Sequence, residues 1–145
     1  MPDRVLYTAE ATATGDGRNG HVISSDRRID FDLAAPPEMG GSGNGANPEQ
    51  LFAAGYSACF HNALRRVARR EGVDPGESTV TAQVGIGPET VGGFGLVVTL
   101  VIGIPGLDRE RTRELTEAAH QICPYSRATR GNISVELRVP ANSVR

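Results

Sequence analysis

The chain contains no lysine and no tryptophan, and each absence removes a class of chemistry. All 15 basic residues are arginine, which excludes the lysine of a phosphate-binding loop and the Schiff-base lysine of pyridoxal-phosphate enzymes. Without tryptophan, no ligand is held by indole stacking. No apolar run approaches the roughly 18 residues that span a bilayer, and residues 1–5 carry no signal-peptide stretch. We therefore expect a cytoplasmic protein with no membrane association.

Length and charge indicate one ordinary globular domain. The chain has 145 residues, 22% of them charged, and a net charge of -2. This length fits a single domain covering residues 1–145. Because phosphate recognition requires a basic face, the slightly acidic balance predicts no nucleic-acid partner.

Hydrophobic periodicity predicts an α+β fold in which strands and helices follow each other without internal repeats. A glycine-rich run at residues 15–20 fits GxGxxG, but a β-rich segment follows it instead of a helix. We therefore interpret this run as a hairpin turn and not as a dinucleotide-binding loop. The predicted elements are strands over 5–14, 21–24 and 29–33, a helix over 48–71, a hairpin of strands over 78–87 and 94–104, a helix over 109–122 and a strand over 132–139. The second helix is predicted to be capped by Asp108 and stopped by Pro124, with a buried stripe of Leu115, Ala118, Ala119 and Ile122.

The central helix carries start and stop signals at both ends. Asn47 is a capping residue, Pro48 suits the first helical position and Gln50 completes a capping box. Gly72 stops the helix. The apolar positions of this helix, on which we expect burial, are Leu51, Phe52, Gly55, Ala58, Cys59, Ala63 and Val67.

Cys59 and Cys123 are the only cysteines, and the residues alone leave three interpretations open. Two buried thiols that act as small hydrophobic groups are the simplest. A redox pair requires the two helices to pack face to face, since no CxxC motif is present. A zinc site would add His61 and His120, but Cys59 and His61 are two positions apart and cannot face one ion from one helix.

A catalytic thiol has a further requirement, because only the thiolate is nucleophilic. Burial on an apolar helix face raises a thiol pKa, and Cys59 lies too far along its helix for the N-terminal dipole to help. The chain therefore has to bring a cation from elsewhere, which can only be an arginine or a protonated histidine.

Two segments around the cysteines resemble the organic hydroperoxide resistance (Ohr) proteins of the OsmC-like superfamily. They are residues 47–59, NPEQLFAAGYSAC, and residues 123–132, CPYSRATRGN. The segments at 5–13, 84–88, 92–96 and 107–110 are also similar to this family, so that the resemblance covers nearly the whole chain. It implies an α+β fold with antiparallel sheets around two main helices, and an intertwined homodimer with two active sites at the subunit interface.

The resemblance also implies a thiol peroxidase that reduces alkyl or lipid hydroperoxides. In it Cys59 is the peroxidatic thiolate and Cys123 the resolving thiol, joined in a disulfide after each turnover. Arg18 matches the arginine that stabilises the thiolate, and Glu49 matches the carboxylate that orients it. The family needs no metal, haem or flavin, and dihydrolipoamide or a lipoylated protein is its reductant.

Two expectations from the residues supplement this assignment. Phe52, Tyr56 and Tyr125 lie near the cysteines in sequence and could line an apolar substrate pocket, whereas Phe60 is expected in the core. Glu49 and Cys59 are ten positions apart on one predicted helix, about 15 Å of rise, so we expect the network that reaches Cys59 to include a residue of the other subunit.

The alternative is a non-catalytic redox sensor or ligand-binding protein that uses the same cysteine pair.

Overall fold

The structure is a computed structural model that describes residues 1–141. The chain folds into two compact units, Met1–Leu51 and the part that begins at Phe52, and each is described by itself. The single domain predicted for residues 1–145 therefore stays a prediction, and its last four residues lie outside the described range. No helix of residues 1–141 is long and apolar enough to cross a membrane.

A three-stranded antiparallel sheet organises the first unit. Its strands are β1 (Ala11–Thr14), β2 (His21–Ser24) and β3 (Asp30–Asp32), in that spatial order. The glycine-rich run joins β1 to β2 through one 3-10 turn at Gly17–Asn19, as the hairpin interpretation predicts. The observed strand is shorter than the predicted one over 5–14, because residues 5–7 are exposed and pair with no strand of residues 1–141.

The central helix, α1 (Pro48–Arg70), forms with the predicted ends. The side chains of Asn47 and Gln50 each accept the other's backbone N–H, at 2.9 and 3.1 Å, which is a reciprocal capping box. At the far end Gly72 adopts a left-handed conformation with φ of 73°, which a residue without Cβ adopts at little cost. Helix propensity and capping thus fix α1 locally.

The buried face of α1 differs in part from the predicted one. Ala58 is exposed and Cys59 is only half-buried. The large side chains that fill the interior are Tyr56, Phe60 and Leu64. The buried face of α1 is therefore rotated by about one residue from the predicted face. Small residues mislead a face assignment, since alanine and glycine fit on either side of a helix.

The second unit contains one mixed sheet. Its strands are β4 (Thr79–Pro88), β5 (Phe94–Gly103) and β6 (Val135–Arg138). β4 and β5 form the predicted antiparallel hairpin, but β6 pairs with β5 in parallel. The predicted α+β class is confirmed, and this sheet is mixed rather than purely antiparallel. A parallel pair needs a long crossover, which the chain supplies between β5 and β6.

That crossover consists of two helices, α2 (Arg109–Ile122) and α3 (Pro124–Thr129). Asp108 caps α2 by accepting the backbone N–H of Arg111 at 2.8 Å. Pro124 ends α2 as predicted, but it also occupies the first position of α3, where proline's missing N–H costs nothing. Ile122, predicted on the buried stripe, is 37% exposed, because the stripe continues through Ala119 to Cys123.

The core of the second unit places both cysteines against one apolar cluster. α1 contributes its large side chains, β5 contributes alternate residues such as Leu100 and Ile102, and α2 contributes Leu115 and Cys123. Phe60 is fully buried in this cluster, as expected. The core therefore fixes the positions of the two helices that carry the thiols.

Candidate active site

The two cysteine sulfurs lie 3.6 Å apart, although 64 positions separate them in the sequence. Both are free thiols, Cys59 half-buried and Cys123 fully buried. The prediction that the helices bring the sulfurs together is confirmed. A disulfide requires about 2.05 Å between sulfurs, so closing the bond needs a movement of about 1.5 Å.

Cys123 occupies the joint between α2 and α3. Its backbone is extended, with φ of -63° and ψ of 123°, and it ends one helix while it precedes the next. Its N–H donates to the carbonyl of Ala119 at 2.9 Å, and its carbonyl accepts the N–H of Arg127 at 3.0 Å. Hydrogen bonds on both sides hold this thiol at a fixed place against α1.

The surroundings of Cys59 in the second unit oppose ionisation. Burial raises the pKa of the Cys59 thiol above its ordinary value of 9.0, and the neighbouring Cys123 raises it further. A hydrogen bond from the backbone N–H of Tyr125 lowers the pKa, but not enough to reverse the direction. Neither neighbour is a cation, so these two groups do not supply the positive charge that a reactive thiolate needs.

In the first unit, Arg18 and Glu49 form a two-pronged ion pair. The Nη1 and Nη2 atoms of Arg18 donate to the two carboxylate oxygens of Glu49 at 2.9 and 2.7 Å. The arginine side chain is 40% exposed and the carboxylate 12%. The pair holds the pKa of Glu49 below its ordinary value of 4.5, chiefly through these hydrogen bonds. The guanidinium is permanently charged, and the two hydrogen bonds fix its orientation.

Three aromatic rings cluster one to two turns before Cys59. The centroids of Phe52, Tyr56 and Tyr125 lie 5.8 to 6.4 Å apart in tilted and edge-on arrangements. The three predicted pocket residues therefore meet, and Tyr125 is 41% exposed. Tyr56, however, is fully buried. A pocket lined by these rings stays a prediction.

Gly55 allows the Tyr125 ring to pack closely against α1. A Cβ at Gly55 would lie 3.1 Å from both Cε2 and Oη of that ring. A side chain at this position, one turn before Cys59, would push the tyrosine ring away from α1 by a few tenths of an ångström.

Sequence reasoning missed a buried chain of hydroxyl groups beside the thiols. The Tyr56 hydroxyl lies 2.8 Å from Ser126 Oγ and 3.0 Å from Thr129 Oγ1, and all three residues are buried. The spacing of Ser126 and Thr129 places them on one face of a helix. This spacing becomes a signal only if Pro124 is taken as the start of a helix. Nothing in the sequence indicates that Ser126 and Thr129 contact Tyr56.

The histidines that a zinc site would need have other contacts. His61 Nε2 lies 2.9 Å from Ser78 Oγ, and the buried ring of His120 packs against Phe60. Among residues 1–141, no three His, Cys, Asp or Glu side chains lie close enough to hold a metal ion. Burial lowers the pKa of both His61 and His120.

The third histidine, His21, lies outside this site on the sheet of the first unit. Its ring nitrogens contact Asp32 Oδ1 at 2.8 Å and Asp30 Oδ1 at 2.6 Å. The two carboxylates raise the pKa of His21. The ring is partly exposed and bridges the neighbouring strands β2 and β3.

Comparisons with known proteins agree on one family. The family described as OsmC-like protein matches residues 41–138. An organic hydroperoxide resistance protein of Xanthomonas axonopodis pv. citri is 54% identical over 138 residues, which are 94% of this chain and 96% of the relative. The crystal structure of an organic hydroperoxide resistance protein from Elizabethkingia anophelis is 54% identical. It superposes with a TM-score of 0.89 and covers 96% of this chain and 99% of its own.

A more distant relative gives the same fold. The structure of OhrB of Bacillus subtilis is 47% identical, has a TM-score of 0.85 and covers 94% of this chain and 100% of its own. The fold and the paired thiols define an α+β protein with a two-cysteine site. The chain belongs to the organic hydroperoxide resistance proteins of the OsmC-like superfamily.

Proposed function

We propose that this protein is a thiol peroxidase that reduces organic hydroperoxides to alcohols. The observation that carries the proposal is the 3.6 Å approach of two free thiols on packed helices. Relatives named for organic hydroperoxide resistance supply the substrate class.

The proposed reaction has two balanced steps. In the first, the Cys59 thiolate attacks the terminal oxygen of the hydroperoxide, the O–O bond breaks, and the leaving alkoxide takes a proton to become an alcohol. Cys59 is thereby oxidised to a sulfenic acid. In the second step Cys123 attacks that sulfur, the hydroxyl leaves as water with the proton of the Cys123 thiol, and a disulfide forms.

Exposure supports the division of roles between the cysteines. Cys59 is half-buried and reachable, whereas Cys123 is fully buried. A peroxide can therefore meet Cys59 first, and Cys123 is protected until the sulfenic acid forms beside it. The contact of 3.6 Å means that the second step needs only a local movement.

Arg18 is proposed to stabilise the Cys59 thiolate and to orient the peroxide. Its guanidinium is held by both oxygens of Glu49. The role proposed for Glu49 is to orient Arg18 in this way. Because burial raises the pKa of Cys59, the proposed mechanism requires a cation to keep this thiol ionised. Glu49 and Cys59 are ten positions apart on α1, about 15 Å along its axis, so we propose that a residue of the other subunit completes this network.

A homodimer accounts for apolar surface on each unit. Leu6 is 82% exposed in the first unit and Phe94 is 68% exposed in the second, with Val5, Tyr7 and Val97 also exposed. Val5, Leu6 and Tyr7 are consecutive, and monomeric proteins rarely expose large contiguous apolar patches. We propose that a second copy of the chain covers them, in an intertwined dimer as the resemblance implies.

Dihydrolipoamide, free or on a lipoylated protein, is the proposed reductant. Its two thiols reduce the Cys59–Cys123 disulfide by exchange, which returns both cysteines to thiols and leaves the lipoyl group as a cyclic disulfide. No bound cofactor takes part in this cycle. We place the reaction in the cytoplasm, where the thiol pools keep the pair reduced until a hydroperoxide arrives.

The test is lipoamide-dependent consumption of tert-butyl hydroperoxide by the wild-type protein and by the Cys59→Ser and Cys123→Ser variants. We expect turnover in the wild type, none in Cys59→Ser, and in Cys123→Ser only a single oxidation that lipoamide does not recycle through a disulfide. Ser57→Ala is the matched control, because Ser57 is on the same helix and bonds only to a backbone carbonyl. Turnover that survives in Cys59→Ser would reject the assignment. A wild type that oxidises once but never turns over would favour the redox sensor.

A further inference from the structure

The Tyr56 hydroxyl joins α1 to α3 through a complete chain of hydrogen bonds. Thr129 Oγ1 donates to the carbonyl of Tyr125 at 3.0 Å, so its proton is engaged there. Tyr56 can then donate to Thr129 and accept from Ser126. Each hydroxyl has one proton, and this order satisfies all three in a buried place where an unpaired group is costly.

This chain lies next to the sulfur pair on both helices. Tyr56 is three positions before Cys59 on α1, and Ser126 is three positions after Cys123 on α3. Residues three apart on a helix are neighbours. The hydroxyl contact and the sulfur contact are therefore two adjacent points at which α1 and the α2–α3 joint meet.

The sulfenic acid of Cys59 has two competing fates. Cys123 can attack it, which forms the disulfide and releases water. A second hydroperoxide can instead oxidise it to the sulfinic acid and leave as an alcohol, and that product is not recovered by thiols. The outcome depends on how often Cys123 lies within reach during the lifetime of the sulfenic acid.

We propose that Tyr56 is a positioning residue that holds α3, and with it Cys123, against Cys59, so that disulfide formation outruns over-oxidation. The proposal rests on the proposed peroxidase function. Tyr56 acts through Ser126 and Thr129 and touches no reacting atom. A hydroxyl that fixes the joint raises the effective concentration of one thiol at the other, as any fixed orientation does.

The variant Tyr56→Phe tests this, because it keeps the ring and removes only the hydroxyl. Each protein is treated with rising amounts of tert-butyl hydroperoxide, and mass spectrometry measures disulfide and sulfinic acid. One buried hydrogen bond corresponds to a change of about threefold to tenfold. We expect Tyr56→Phe to reach half over-oxidation at a hydroperoxide concentration lower than the wild type by that factor. An unchanged concentration would overturn the proposal.

Thr116→Val is the control for simple loss of stability. Thr116 is buried and donates to the carbonyl of Thr112 at 2.7 Å within α2. Replacing it therefore removes a comparable buried hydrogen bond but leaves the contacts between α1 and α3 in place. We expect its over-oxidation to match the wild type. Ser126→Ala removes the same link from the other side, and combined with Tyr56→Phe it should add much less than its own effect.

A second measurement separates this proposal from the peroxidase itself. The dithiol and disulfide forms are equilibrated in glutathione buffers, which needs no hydroperoxide. We expect the disulfide of Tyr56→Phe to be less favoured by about threefold to tenfold, since the freer joint closes at a greater entropic cost. Equal equilibria would refute the positioning role even if turnover is normal. A wild type that reduces no hydroperoxide would refute the proposed function while leaving this equilibrium as the test of Tyr56.

Discussion

The acidity of Cys59 gives the sharpest test of the proposed mechanism. At its ordinary pKa of 9.0, a thiol is about 1% ionised at pH 7, and burial beside Cys123 raises the pKa further. A half-ionised thiol at neutral pH requires a fall of at least about two units, which equals about 2.7 kcal/mol of preference for the thiolate. A cation about 4 Å away supplies about 4 kcal/mol near a protein surface. A single unpaired cation at that distance therefore exceeds the two-unit requirement, and the pairing of Arg18 with Glu49 reduces this surplus.

The perturbation is Arg18→Met, which keeps the length of the side chain and removes the charge. The rate of Cys59 alkylation by iodoacetamide is measured against pH in a Cys123→Ser background, where one thiol remains. We expect a midpoint near neutral pH with Arg18 present and a midpoint above 9.0 in Arg18→Met, because burial then outweighs the hydrogen bond from the Tyr125 N–H.

Arg28→Met is the matched control, an exposed arginine of the same unit. We expect it to leave the midpoint unchanged. A common midpoint with and without Arg18, or a midpoint at or above 9.0 with Arg18 present, would refute the reasoning that an arginine activates this thiol.

Three further predictions follow from local electrostatics and capping. Because folding lowers the pKa of Glu49, its ion pair with Arg18 stabilises the fold above about pH 4.5, and this stabilisation is lost as the pH falls through the pKa of Glu49 in the folded protein. In urea titrations, the difference in unfolding free energy between the wild type and Glu49→Gln should therefore shrink below pH 4.5. By proton NMR, His21 should titrate above 6.5 and both His61 and His120 below it, and one shared midpoint would contradict the contacts described. Asn47→Ala should cost about 1 kcal/mol by urea unfolding, since one side of the capping box is lost, and no loss would show that the cap is unimportant.

Local features of the chain were predictable because their causes are local. The ends of α1 follow from Asn47, Pro48 and Gly72, and the start of α2 follows from Asp108, since each residue acts on backbone groups within one turn. The hairpin of β4 and β5 follows from alternating apolar residues. The short length of β1 was not predictable, because the strand needs a partner that alternation alone does not name.

The site was predictable in its residues but not in its arrangement. Cys59, Cys123, Arg18 and Glu49 come from the resemblance, which also implies that the last two pair, and the structure shows that pair at 2.7 and 2.9 Å. The parallel pairing of β6 depends on where the crossover returns the chain, which no periodicity specifies.

The sequence by itself determined α1 and α2, their caps and the two thiols as the only sulfur nucleophiles, because these depend on residue type and spacing. Only the tertiary structure decided that sulfurs 64 positions apart lie 3.6 Å from each other, and that Tyr56 bonds to α3 rather than to water. Contacts between distant segments arise from the packing of whole elements around one core. No residue along the chain specifies such a contact alone.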